Sequence, residues 1–186
     1  MVPAGDDDQR GGSVLQWVRW RLAVLLAVVI LAGIGCGTGD SGSGAPASTG
    51  TPKKLDFTAT TLDGKKFDGT TLAGKPAVLW FWALWCPTCG AQAPHVADLA
   101  EEYQGEVTFV GVAGLDDKPQ MRKFVARTGV DGFTHLADDS GTVWKRFGIT
   151  AQSTYVLLDA KGAVVQSGYL EDDELSKRVA KLARSR

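Results

Sequence analysis

The chain has 186 residues, 44% of them hydrophobic and 22% charged. That is ordinary globular usage, and it excludes a wholly disordered chain or a multi-pass membrane protein. With 20 basic and 21 acidic residues the formal charge is -1, so no global basic field exists to bind nucleic acid. Two histidines and three cysteines are too few for a rich metal cluster. The length fits one domain plus an appendage.

The appendage is N-terminal. Arg10, Arg19 and Arg21 precede an apolar run from Leu22 to Ile34. About 13 residues suit the apolar core of a signal peptide and are short for a membrane span of roughly 20. Gly33-Ile34-Gly35-Cys36 follows and resembles a bacterial lipobox, although Leu is usual where Gly33 stands. We expect residues 1–36 to be a signal and lipoprotein segment, with Cys36 the lipidated first residue of the mature chain. An uncleaved membrane anchor, or a cleaved signal that leaves a spare thiol, stay open. All three point to an extracytoplasmic protein, the first two holding it at the outer face of a bacterial cytoplasmic membrane. Residues 37–52 are Gly, Ser, Thr, Ala and Pro almost throughout, a composition that cannot bury enough apolar surface to order itself and reads as a flexible linker.

Residues 53–186 form the folded domain, long enough for one core without disulfide staples. Leu55 to Thr60 alternates apolar and polar, as a half-buried strand does. Asp63-Gly64 marks a turn, and Lys65 to Phe67 returns as the second arm of a hairpin. Ala77 to Ala83 is continuously apolar, which predicts a central strand covered on both faces. A helix follows Cys86 to about Tyr103, with Val96, Leu99, Ala100 and Tyr103 at helical spacing. Glu106 to Ala113 reads as a second buried strand and Asp117 to Thr128 as an amphipathic helix carrying Met121, Phe124 and Val125. Val143 to Phe147 reads as a short helix. Thr154 to Leu158 and Ala163 to Gly168 read as a hairpin turning at Asp159 to Gly162. The last helix opens on Glu171, Asp172, Asp173 and Glu174 and closes on Lys177, Arg178, Lys181 and Arg184, charges that complement its dipole. This order predicts an α/β fold with a mixed sheet and a right-handed parallel crossover at its centre.

Trp85-Cys86-Pro87-Thr88-Cys89 is the most specific signal. Cys86 falls at a helix N-terminus, where free N–H groups and the dipole favour negative charge. The thiolate is the attacking form of a cysteine. Cys89 lies one turn on, in reach of a mixed disulfide formed at Cys86. Pro87 suits the first helical turn, where no N–H is needed. A lone C-x-x-C is also half a zinc site, but no second pair exists and His95 and His135 have no ligand spacing to it. An inert structural disulfide is the other bland alternative. His95 is expected to decorate a helix, and His135 a loop or strand end.

Lys75 to Cys89, with Gly105 to Asp116 and Phe147 to Thr150, resembles the thioredoxin-like superfamily. The likeness runs from Lys53 to Ser185 and is strongest to the extracytoplasmic TlpA/DsbE branch and its actinobacterial DsbF-type lipoproteins. It implies a thioredoxin-like fold: a mixed central sheet flanked by helices, with an N-terminal hairpin and an inserted helix. It also implies thiol–disulfide exchange with exported proteins that carry cysteines. No cofactor is expected beyond a redox-active Cys86-Cys89 disulfide, no resident metal is expected, and the redox partner is unspecified. Oxidation of exported proteins is the usual role, and reduction during cytochrome maturation the competing one.

Three departures from that family's pattern bear on the site. The family places a cis-proline before the strand at Thr154, and the alignment puts Ser153 there. A cis bond without proline costs about 2.5–4 kcal/mol, so the loop either absorbs that cost or turns trans. A trans loop would reshape the groove and open the sulfurs to a metal ion. Trp80 stands where reductants of this fold often bury a carboxylate, and Gln92 where TlpA-like proteins often carry Glu. Both changes remove negative charge that would oppose a thiolate at Cys86. A stabilised reduced form makes a stronger oxidant, which favours oxidase over reductase. Leu84 is neutral. Trp85, Pro87, Thr88, Gln92, Ser153 and Thr154 are therefore the expected surroundings of the catalytic pair. A Cu(I)- or Zn-binding chaperone is the alternative of another class. A peroxidase fits poorly, with Ala83 and Leu79 where its Thr or Ser and its Pro would stand. Non-catalytic binding with vestigial cysteines is the bland remainder.

Overall fold

The structure, a computed structural model, describes residues 52–185. The signal, linker and Cys36 expectations lie almost wholly outside them. Seven strands and four α-helices are present among the described residues: β1 (Thr58–Thr60), β2 (Lys66–Asp68), β3 (Ala77–Trp82), α1 (Pro87–Glu102), β4 (Thr108–Gly114), α2 (Lys118–Thr128), β5 (Thr134–Asp138), α3 (Thr142–Phe147), β6 (Thr154–Leu158), β7 (Val164–Gly168) and α4 (Asp172–Arg184). No helix among them is long and apolar enough to cross a membrane.

The main sheet runs β5-β4-β3-β6-β7. β3, β4 and β5 are parallel, while β6 runs antiparallel to both β3 and β7. β3 is therefore the central strand, and all six of its residues are buried. Alternate side chains of a strand point to opposite faces, and here each face has its own core. Val78, Trp80 and Trp82 meet Val96 and Leu99 of α1, Met121 and Phe124 of α2, and Leu175 and Val179 of α4. Leu79 and Phe81 meet Leu55, Phe57 and Leu72, and Val143, Trp144 and Phe147 of α3. Fully burying such large apolar side chains contributes about 1.5–3 kcal/mol each.

Two sequence expectations need correction. Leu55 does not extend the first strand. Lys53–Leu55 is a 3-10 turn closed by Leu55 N–H on the Pro52 carbonyl at 2.8 Å, which sends Leu55 into the core. The expected strand survives as β1, paired with β2 in the predicted hairpin. His135 lies neither in a loop nor at a strand end: it is the second residue of β5, a strand not anticipated from the sequence. β5 forms because β4 supplies its ladder on one side. On the other, the Leu62 N–H reaches the His135 carbonyl at 2.8 Å, and Thr61 bridges Leu136. This cover also protects what would be an open sheet edge.

Candidate active site

β3 ends at Trp82, and Cys86 caps α1 four residues later. Cys86 keeps extended backbone angles, and Pro87 occupies the first helical turn. The Cys86 Sγ accepts the Cys89 N–H at 3.0 Å, so one of the helix's unsatisfied donors points at sulfur. Cys86 and Cys89 are joined in a disulfide, with their Cα atoms 5.3 Å apart. Cys86 is 6% exposed and Cys89 fully buried, so an incoming thiolate meets Cys86 first.

Trp85, Pro87 and Thr88 are all exposed around that sulfur, Trp85 at 56%. Ser153 is buried, and the Gln152–Ser153 peptide is cis, the first of the two expected backbone forms. Its hydroxyl accepts the Trp80 indole N–H at 2.7 Å. Two of the three departures from the family pattern are thus bonded to each other. Thr154 is half-buried and donates its hydroxyl to the Ala151 carbonyl at 2.7 Å, bracing the same loop.

Gln92 is buried on α1 and donates from Nε2 to the Leu170 carbonyl at 2.9 Å, tying α1 to the lead-in of α4. Its Oε1 is buried and accepts no hydrogen bond. Tyr155, unnoticed in the sequence, is fully buried one residue beyond Thr154. Burial pushes its hydroxyl well above the usual range, against the opposing pull of the Ser153 hydroxyl. Only the β6 register with Trp80 could have revealed it.

Neither histidine faces the sulfurs. The Nε2 of His95 lies 3.0 Å from the Asp172 carbonyl and 2.9 Å from the Ser176 hydroxyl, a tie between α1 and α4. His135 accepts the Trp82 indole N–H at Nδ1 (3.2 Å) and donates from Nε2 to the Val130 carbonyl (2.7 Å). Among the described residues no three His, Cys, Asp or Glu side chains converge as metal ligands do.

A buried disulfide with one approachable sulfur, set at a helix N-terminus on a thioredoxin-like sheet, defines a protein of thiol–disulfide exchange. The Redoxin family profile matches residues 40–183, and the chain belongs to that family. It is 39% identical over 165 residues to the soluble secreted antigen MPT53 of Mycobacterium tuberculosis, covering 87% of this chain and 90% of that one. The solved structure of Mycobacterium tuberculosis DsbF, in mixed oxidised and reduced forms, is 51% identical with a TM-score of 0.68, over 72% of this chain and 99% of that one. A secreted disulfide oxidoreductase of the same organism, homologous to Escherichia coli DsbE, is 43% identical with a TM-score of 0.65, over 70% and 99%. The chain is accordingly a thiol–disulfide oxidoreductase of the DsbE/DsbF type.

Proposed function

We propose that this enzyme oxidises or exchanges disulfides in exported proteins, with Cys86 as the sulfur bonded to the client and Cys89 as the leaving thiolate in oxidation and the resolving one when the reduced pair acts on a client disulfide. The observation that carries the reading is the Cys86 Sγ held 3.0 Å from the Cys89 N–H at the start of α1. A client thiolate attacks Cys86 Sγ and breaks the Cys86-Cys89 bond. Cys89 leaves as a thiolate and takes a proton. A second client thiolate then attacks the client sulfur of the mixed disulfide, and Cys86 leaves as a thiolate. The client dithiol loses two electrons and two protons to the pair, and an electron acceptor outside this chain must re-form the Cys86-Cys89 disulfide.

Charge favours this direction. Trp80 and Gln92 put neutral groups near the pair, so no carboxylate at either position opposes a Cys86 thiolate. A better stabilised dithiol form makes the disulfide a stronger oxidant. We also read residues 1–36 as an export signal with lipid attachment at Cys36. On that reading 37–52 tether the 53–186 domain to the outer face of the membrane.

Replacing Cys86 by Ser is expected to abolish turnover of a dithiol peptide in a domain that still folds. Replacing Cys89 by Ser is expected to remove the disulfide that client thiolates attack and, when the variant's Cys86 thiolate meets a disulfide client, to accumulate mixed disulfides at Cys86 that no second cysteine resolves. Turnover retained by Cys86→Ser contradicts the assignment. Equilibration with glutathione reports direction: a potential toward about -120 mV supports the oxidant, and one near about -270 mV a reductant.

A further inference from the structure

Lys53, Lys54, Lys145 and Arg146, together with Thr142, line one open hollow of about 540 Å³. All four cations are exposed. They come from two separate segments, the 3-10 turn Lys53–Leu55 and the helix α3. The whole chain carries a formal charge of -1, so a basic composition does not account for the cluster. Among the described residues no acid lines the hollow, and the ion pairs Lys65–Asp63 and Arg178–Glu174 lie elsewhere.

The fold holds these cations together. Arg146 Nη1 donates to the Lys53 carbonyl at 2.9 Å, which ties the turn to α3. Lys54 Nζ stands 5.7 Å from the centre of the Phe147 ring, and the Arg146 guanidinium 6.0 Å from that of Phe57. Lys145 and Arg146 suit the negative end of α3, but that leaves Lys53 and Lys54 unexplained. Gathering like charge is unfavourable in the free domain and becomes favourable against an anionic surface.

The second observation is where the patch lies. Residues 37–52 run directly into Lys53, so the patch begins where the domain joins the chain before it. Pro52 and Leu55 lie against Gly162, in the turn between β6 and β7. That turn follows Leu158, which pairs with Ala77, the first residue of β3. Cys86 lies beyond the last residue of β3. The point where the domain is joined and the disulfide are therefore at opposite ends of the sheet, with about 17 Å of strand between them.

We propose that this patch docks the domain on anionic phospholipid, its cations meeting the phosphate groups of the membrane surface. The disulfide then faces away from the membrane, toward exported clients. The inference rests on the reading of residues 1–36 as a lipoprotein signal, which places Lys53 beside the membrane. Each Lys or Arg near an anionic surface strengthens binding roughly fivefold. Four such contacts are too weak to hold the domain alone, and they act by orienting a tethered one.

The test uses the full chain purified from expressing cells, mixed with vesicles of phosphatidylcholine alone or of phosphatidylcholine with phosphatidylglycerol. An uncharged, water-soluble amine reagent labels exposed lysines, and mass spectrometry reads each site. On the anionic vesicles Lys53, Lys54 and Lys145 should label at least about fivefold more slowly than on the neutral ones, as one cation at the surface implies. Lys123 of α2, on the other face of the sheet, should label alike on both. The difference should vanish near about 1 M salt, where charges act only within about 3 Å. In a variant carrying Lys53→Gln and Lys145→Gln, the protection of Lys54 should fall toward its value on neutral vesicles. Equal labelling of the three lysines on both vesicles overturns the proposal, and so does slowing that Lys123 shares or that survives in the folded variant. If the variant does not fold, the three lysines against Lys123 in the natural chain decide. If the chain does not sediment with neutral vesicles, the lipoprotein reading fails separately. Sedimentation with the anionic vesicles then judges the patch: binding roughly a hundredfold tighter than to neutral ones supports it, and equal binding overturns it.

Discussion

The Trp80 indole nitrogen lies 2.7 Å from the Ser153 hydroxyl oxygen, across 73 positions of sequence and wholly inside the core. Each residue departs from the family pattern, and each supplies what the other needs. An indole N–H buried without an acceptor, or a hydroxyl without a partner, costs about 1–3 kcal/mol. Trp80→Phe and Ser153→Ala should therefore each lower stability by about that amount. The double variant should lose less than the sum, with a coupling of about 0.5–3 kcal/mol. Urea unfolding of the four proteins measures this. Strict additivity would show that the two groups act independently.

His135 makes stability depend on pH. Burial is the main cause that drives its pKa down from 6.5 to about 4, against the raising pull of the Val130 carbonyl. The folded state thus holds the neutral ring, while the unfolded chain takes up a proton below about 6.5. The stability due to the neutral ring is complete above pH 6.5 and is lost as pH falls from there toward 4. Integrated over that window the loss is on the order of 3 kcal/mol. Denaturation midpoints from pH 7 to about 4.5 should fall for the natural protein. They should fall much less for His135→Gln, whose carboxylates titrate alike. A flat profile for the natural protein contradicts the buried neutral ring.

Lipid attachment at Cys36 has a direct readout. Cells expressing the full chain with labelled fatty acid should yield a labelled, membrane-sedimenting protein. Cys36→Ala should be unlabelled and leave the membrane fraction if the segment is cleaved. A labelled Cys36→Ala protein would place the lipid elsewhere.

Much of this was legible in the sequence where local pattern and global fold agree. The apolar run at 77–83 became the central strand, and the C-x-x-C after it fell at the helix start, because burial and the dipole act locally. Thr134–Asp138 carries a histidine and an aspartate and lacks a run of β-branched residues. Its strand depends on β4 and on the hairpin that covers its free edge, neither of which periodicity reveals. Asp138 shows the same: its buried carboxylate accepts the Trp144 N–H at 2.8 Å and so starts α3. The environment of the sulfurs was the least legible part. Ser153 and Gln92 were visible as departures. That one would be met by Trp80, and the other left with a free acceptor, depends on chain segments brought together only by folding.

The central claim is that the start of α1 makes Cys86 an acidic thiol. Following the thiolate absorbance of the reduced protein against pH, with Cys89→Ser to isolate the remaining sulfur of the motif and Cys36→Ala to remove the third, tests it directly. Cys86 should ionise clearly below the free-cysteine value of about 8.5, within the range of about 3.5–7.5 seen for helix-terminal thiols. Ionisation at or above about 8.5 would contradict the account.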